Sequence, residues 1–326
     1  MIQRLMPKQQ FIPIAATIAL FLVMFAAGSY RYTGFFSLQV ILNLFIDNAF
    51  LIVTAVGMTF VILTGGIDLS VGSVIALSTM ISASLVQQQG WPPAIVIPLV
   101  LFIGSMFGFI MGAIIHYFKI QPFIVTLAGM FLARGLCYVI SINTISINHP
   151  FYTWVAQTKV PLPGNHFISI SVIIALVVVA AAFFVAHYTR LGRNMYALGG
   201  GEQSALLMGL PVAQTKIAVY TISGFCSALA GVIFTFYMLS GYGLHAVGME
   251  LDTIAAVVIG GTLLTGGFGY VIGTLFGVLI QGIIQTMIMF EGTLSSWWTK
   301  IAIGVLLFLF ILLQRIIVSR RQTAKS

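Results

Sequence analysis

Of 326 residues, 60% are hydrophobic and only 6% are charged, against roughly 25% charged in an average soluble domain, which excludes a water-soluble globular protein. The net charge of +8 calls for no nucleic acid, because basic ends suit the anionic inner leaflet of a membrane, and lipid is the partner they imply. A bilayer core about 30 Å thick takes about 20 residues of apolar helix and offers no water to an unpaired backbone group, so the apolar runs are helices.

The chain opens with "MIQRLMPKQQFIPIAATIALFLVMF", a basic start and an apolar stretch without a clear small-residue cleavage site, read as a first span near 11–28. Spans follow near 40–63, 70–87, 94–117 and 121–141, then a polar loop over 142–167. After a span near 168–187 comes a second polar loop over 188–215, and the last four spans lie near 217–239, 251–265, 270–290 and 299–318. None of these runs alternates as the strands of a membrane barrel do. The expectation is an all-α polytopic membrane protein of about ten transmembrane helices. Neither loop is long enough for a catalytic domain, so residues 1–326 form a single membrane domain.

Placing the amino terminus inside puts Arg4, Lys8, Lys119, Arg190, Arg193, Lys216, Arg315, Arg320, Arg321 and Lys325 on the cytoplasmic side. Only Arg31, Lys159 and Lys300 fall outside. Lys and Arg in short loops set orientation, so both termini are expected in the cytoplasm of a multi-pass bacterial inner-membrane protein. Trp91, Trp154, Trp297 and Trp298 then all fall at the outer interface, where indoles anchor.

A shift of 201 positions lays "ILTGGIDLSVGS" (62–73) over "LLTGGFGYVIGT" (263–274). Thr64, Gly65 and Gly66 recur as Thr265, Gly266 and Gly267. Upstream, Asp47 and Asn48 leave 49–64 as uninterrupted apolar chain, while Glu250 and Asp252 leave 253–265, so both copies carry a short span. Short, glycine-broken spans in corresponding positions of two halves point to a transport pathway, and one of them is a candidate re-entrant segment. Parallel and inverted halves both remain open.

Asp68 follows the first glycine pair. With Ser70 it either caps the helix that starts "VGSVIAL" or pairs with a cation or partner, since an intramembrane acid is by default a functional candidate and the aligned position is Gly269. Arg134 either pairs with an acid of another helix or snorkels outward. Asp47, Glu250 and Asp252 read as helix-start charges. Gly104, Gly108 and Gly112 form one stripe for close helix packing, and Gly66→Val is expected to harm transport more than Gly108→Ala. Cys137 and Cys226 read as packing residues. The five histidines have no metal-ligand spacing, no Ser/His/Asp set stands out, and neither metal nor cofactor is expected.

In the loop 188–215, Gly199, Gly200 and Gly201 precede "EQSALLM", a short helix with Glu202 at its start and an apolar patch of Leu206, Leu207 and Met208. Gly209 and Pro211 stop it. With Arg190 and Arg193 alongside, this patch either lies on lipid headgroups or docks another protein. The glycines lack the Gly-Lys-Ser/Thr ending of a nucleotide loop, so if ATP drives this protein another chain holds it.

"GMTFVILTGGIDLSVGSVIAL", "YALGGGEQSALLMGL", "SGFCSALAGVIF" and "ELDTIAAVVIGGTLLTGGFG" together resemble the ribose-type family of sugar ABC importer permeases over nearly the whole chain. Within it, "GTLSSWWTKIAIGVLL" and "INHPFY" look most like permease subunits of galactofuranose importers. The resemblance implies a non-catalytic permease working with a cytoplasmic ABC ATPase, a periplasmic sugar-binding protein and a second permease subunit. A heterodimer is the expectation and a homodimer the alternative. It implies that Arg190, Arg193, Gly199, Gly200, Glu202, Leu206, Leu207, Met208 and Gly209 belong to the segment that grips the ATPase. Asn48, Thr64, Gly65, Gly66, Asp68, Thr265, Gly266 and Gly267 would lie around the translocation pathway. Where the family commonly reads Gly-Gly-Asn this chain has Gly199, Gly200 and Gly201, which puts in doubt any contact the asparagine makes.

Few carboxylates lie within the spans, while Thr64, Asn48, Gln281 and Gln285 offer hydrogen bonds to sugar hydroxyls; the glutamines equally suit helix-to-helix bonds. A branched-chain amino acid ABC permease is the nearest alternative, separable by transport assays with sugars and leucine. An ion-coupled secondary transporter is a second, and it requires uptake from a proton or sodium gradient without an ATPase.

Overall fold

The computed structural model describes residues 12–295 and 297–323, with side chains from 13 to 295 and 297 to 312. Arg4, Lys8 and Lys325 lie outside the described residues, as do the side chains of Arg315, Arg320 and Arg321. Helix α1 (Ile12–Arg31) is followed by α2 (Leu38–Asp47) and α3 (Ala49–Leu63), which meet at a bend of 61°. Helix α4 (Val71–Ala83) runs on into a π-helical turn, Ser84–Gln88. Helices α5 (Pro93–Tyr117) and α6 (Pro122–Ile140) each start on a proline, whose missing N–H costs nothing in a first turn. Next come strand β1 (Ile145–Ser146), helix α7 (Pro150–Gln157), and the hairpin of β2 (Lys159–Leu162) and β3 (His166–Ser169). Then follow α8 (Ile170–Tyr188), α9 (Arg190–Gly200), α10 (Glu202–Leu207) and α11 (Val212–Met238). The chain closes with β4 (Ser240–Gly241), which pairs with β1, and with α12 (Met249–Ile259), α13 (Val271–Glu291) and α14 (Trp297–Thr323).

Each of the ten apolar runs holds a helix, two in the run 40–63 and only part of the run 251–265 in α12, and the chain is an all-α polytopic membrane protein. Seven helices among the described residues are long and apolar enough to cross a bilayer, and the α2–α3 pair makes eight. The run 40–63 differs from a single straight span because Asp47 and Asn48 interrupt it, the Asn48 amide donating to the Leu44 carbonyl at 2.9 Å. Helix α12 has 11 residues, a rise of about 16 Å. That is short of the roughly 30 Å of a bilayer core.

The core sits around α3. Every one of its residues except Phe50 is buried, as expected of a helix that is hydrophobic on all sides. Helix α11 packs on α5 through the glycine stripe, backbone against backbone. A Cβ at Gly108 would lie 2.1 Å from the Tyr220 carbonyl oxygen, and one at Gly224 would lie 2.2 Å from that of Gly104. At Gly66 a Cβ would meet the Tyr220 hydroxyl at 2.4 Å, a side-chain end, whereas at Gly108 the obstacle is main chain. Helices α5, α6 and α8 turn Phe102, Phe131, Val177 and Phe184 outward, a surface suited to lipid.

The two repeat copies run parallel. Helices α3 and α12 begin together at one end of the bundle, and the turns that end them touch at the other, where the Gly267 N–H donates to the Leu63 carbonyl at 2.9 Å. That second end also carries α9 and α10 and is called the α9 end below.

Candidate functional site

At the α9 end three glycine segments far apart in sequence interlock. Gly266 and Gly267 adopt φ of +82° and +74°, a region closed to most side chains. That conformation carries the second turn against the first, where a Cβ at Gly266 would lie 2.7 Å from the Gly65 nitrogen. Gly199, in the last turn of α9, wedges between them: a Cβ there would lie 1.9 Å from the Leu63 oxygen and 2.3 Å from the Gly267 nitrogen. Gly66 and Gly266 are buried, Thr64 is half-buried, and Gly65 and Thr265 are exposed. Thr64 spends its hydroxyl on the Val61 carbonyl at 2.8 Å.

Asp68 is fully buried, and its donors among the described residues are neutral. One carboxylate oxygen accepts from the Ser70 N–H at 2.9 Å and hydroxyl at 2.6 Å, and the other from the Ser223 hydroxyl of α11 at 2.7 Å. The expected side-chain cap of α4 is not formed, since Ser70 stands at its N-cap without a capping bond; Asp68 instead closes the turn before the helix and ties it to α11. At the aligned position the Gly269 carbonyl instead accepts from the Tyr196 hydroxyl of α9 at 2.8 Å. Burial, with Tyr270 nearby, pushes the Tyr196 hydroxyl up to about 12, so it stays protonated and donates throughout the physiological range.

Beyond this junction α9 seats Met195 in the main core with Leu191 and Tyr196 against it, while α10 faces outward. Ala205 packs inward with Leu198 and Val212, while Leu206, Leu207 and Met208 are exposed, Leu207 by 90%. Gly209 closes the helix with φ of +72°. Glu202 pairs with Lys216 at 2.7 Å. Arg190 and Arg193 are exposed, with no ion-pair partner among the described residues. Sequence reasoning found α10 but missed α9, whose 11 residues include Gly192 and end in Gly199 and Gly200. The usable signal was Thr189, which caps α9 by accepting from the Gly192 N–H at 3.2 Å.

At the opposite end the starts of α3, α12 and α14 and the last turns of α13 enclose a cavity of about 760 Å³. Asn48 lies here, separated from the other pathway candidates by the length of α3, about 22 Å. Around it stand Asp47, Asp252, Gln281, Gln285, Trp297 and Lys300. Gln281 donates to the Asp252 carbonyl at 2.9 Å, a helix-to-helix bond, and Lys300 pairs with the Asp252 carboxylate. Gln285 is exposed. Asp47 and Asp252, read from sequence as helix-start charges, thus meet on one wall, whereas Glu250 points instead toward Gly72 of α4 and does not line the cavity. Asp252 does stand in the first turn of α12, but Asp47 ends α2. Among the described residues Arg134 has no acidic partner, and it does not snorkel. It donates to the carbonyls of Gly243 and His245 at 2.6 and 2.8 Å.

A family model described as the permease component of branched-chain amino acid transport systems matches residues 40–311. The chain is 51% identical to the inner membrane ABC transporter permease protein YjfF of Escherichia coli, over 93% of this chain and 92% of that one. It is 40% identical to the fructose import permease protein FruG of Bifidobacterium longum, over 95% and 93%. With the ribose import permease protein RbsC of Haemophilus influenzae it shares 40% over 89% and 90%. No solved structure matches the chain. The match over residues 40–311 and these relatives make the chain a member of this permease family, on its sugar ABC importer branch, and therefore a non-catalytic membrane subunit whose ATP hydrolysis belongs to a separate ATPase.

Proposed function

We propose that this chain is one permease subunit of a monosaccharide importer of the inner membrane, with galactofuranose as its specific sugar. The cavity carries this reading. Its carboxylates accept from hydroxyls, its amides do both, and an exposed indole offers a face for a sugar ring. The segment that resembles galactofuranose permeases, "GTLSSWWTKIAIGVLL", supplies Trp297 and Lys300 to that wall, which supports the finer assignment.

The α9 end and both termini face the cytoplasm in this reading, because Lys119, Arg190, Arg193 and Lys216 gather on that side. The apolar patch Leu206, Leu207 and Met208, flanked by Arg190 and Arg193, docks the ATPase. A periplasmic sugar-binding protein delivers to the cavity end, and a second, different permease subunit completes the pore. Asn48 stands at the entrance, and Thr64, Gly65, Gly66, Asp68, Thr265, Gly266 and Gly267 form the closed inner end. Residues 1–326 act as one membrane domain. Uptake by the reconstituted importer, measured with labelled galactose and with leucine, and competed by furanose-locked and pyranose-locked galactosides, tests this. Uptake of sugar, competed by the furanose form, is expected. Transport of leucine instead would move the chain to the amino acid branch of its family.

A further inference from the structure

We propose that a groove over α13, between α1 and α14, holds one phospholipid whose zwitterionic headgroup carries a primary amine.

Helices α1 and α14 both pack on α13. Where the three meet at the cavity end of the bundle they leave a second hollow of about 400 Å³. Met24 of α1 and Ile284 and Met287 of α13 give it apolar walls. The polar groups that line it, Tyr32, Glu291 and Trp298, stand at the helix ends. Apolar depth with polar groups at the membrane surface is the division a lipid itself shows. The flanks suit lipid as well: Leu22 and Val23 of α1 and Ile301 and Val305 of α14 are exposed, so the groove opens between two apolar surfaces that acyl chains cover.

Charge selects the headgroup. Gly292, at φ of +68°, ends α13 directly after Glu291 and keeps that carboxylate at the surface. One of its oxygens accepts from the Tyr32 hydroxyl at 2.7 Å. The Tyr32 ring packs on Phe35 and Phe290, with centroids 6.2 and 5.9 Å away. Arg31, the last residue of α1, stands beside the same hydroxyl. Yet Arg31 and Glu291 form no ion pair with each other or with any other described residue. A negative and a positive charge therefore lie close together and unneutralised, the complement of a headgroup that carries a phosphate next to an ammonium. Glu291 accepts from the ammonium, Arg31 donates to the phosphate, and the exposed Trp298 indole offers its face to the cation. A quaternary amine brings no N–H for the carboxylate, and a glycerol headgroup brings no positive charge. Ile288 and Leu294 line both this groove and the larger cavity, so the lipid supports a shared wall.

The test is native mass spectrometry of the complete importer, released from nanodiscs of equal parts dioleoyl phosphatidylethanolamine, phosphatidylcholine and phosphatidylglycerol. One phosphatidylethanolamine per copy of this chain is expected to stay bound, preferred about tenfold or more over the other two lipids. Glu291→Gln keeps an acceptor for Tyr32 but removes the charge, and it should abolish that preference while the complex stays assembled. Arg31→Gln, at an exposed position, should lower retention of the lipid in an intact complex. Equal retention of the three lipids, a preference unchanged in Glu291→Gln, or no lipid retained because the partner permease fills the groove, would overturn the proposal.

Discussion

A methyl group at residue 199 would lie 1.9 Å from the Leu63 oxygen, whereas one at residue 200 would meet nothing within 4 Å. Three consecutive glycines therefore have unlike roles. Gly199→Ala forces two main-chain segments apart and is expected to destabilise the protein by about 1–3 kcal/mol, the usual cost of overpacking. Gly200→Ala should unfold at the parent temperature in a detergent melt. Gly201 precedes α10 as its cap residue without a capping side chain, and its backbone is extended. Gly201→Asn, which restores the family's common residue, should be tolerated and add a few tenths of a kcal/mol by capping. At Asp68, replacement by Ala leaves the hydroxyls of Ser70 and Ser223 without their acceptor, and unsatisfied buried groups cost about 1–3 kcal/mol each. Asp68→Ala should lower the melting temperature well below that of Asp68→Asn, which keeps one acceptor. Residue types alone could not separate these cases, because a glycine in a wedge and a glycine in open space look identical until the opposing backbone is placed.

At the scale of elements, the apolar runs were legible because twenty-residue hydrophobic stretches have one outcome in a bilayer. The bend between α2 and α3 was legible too, from Asp47 and Asn48. Helix α9 was not, since its glycines argue against helix locally and packing against two turns overrides them. The hairpin β2–β3 also escaped, although "LPGNHF" carries a turn signal: Asn165 sits at φ of +62° in the connection between the strands. Helix α10 was found from its acid start and glycine stop, and its exposed patch yields a direct prediction. Leu207 is 90% exposed, so Leu207→Asp should insert and melt as the parent does, yet abolish uptake while the ATPase runs uncoupled. Parent-like uptake in that variant would remove the docking role. The seam between α12 and α14 is weaker than it looks: Lys300 is half exposed, and a pair of that kind contributes at most about 1 kcal/mol. Lys300→Ala should therefore leave the melting temperature almost unchanged, and any effect on the apparent KM for sugar would report on the cavity.

Across the whole molecule, the repeat visible in sequence becomes two parallel half-units whose polar starts share a cavity and whose glycine ends touch. The pairing of Leu63 with Gly267 could not be read from sequence, because a duplicated motif does not say which way its copies point. The relatives add what geometry leaves coarse: the family model names amino acid transport, while the fructose and ribose permeases among the relatives point to sugar. The absence of a nucleotide loop in "GGGEQSALLM" agrees with a membrane subunit driven from outside itself. The most direct measurement of that dependence is labelled-galactose uptake into proteoliposomes, with the chain alone under an imposed proton or sodium gradient, and with the chain beside its ATPase, binding protein and partner permease plus ATP. Accumulation is expected only in the second case. Accumulation by the chain alone, or ATP hydrolysis by the purified chain, would contradict it.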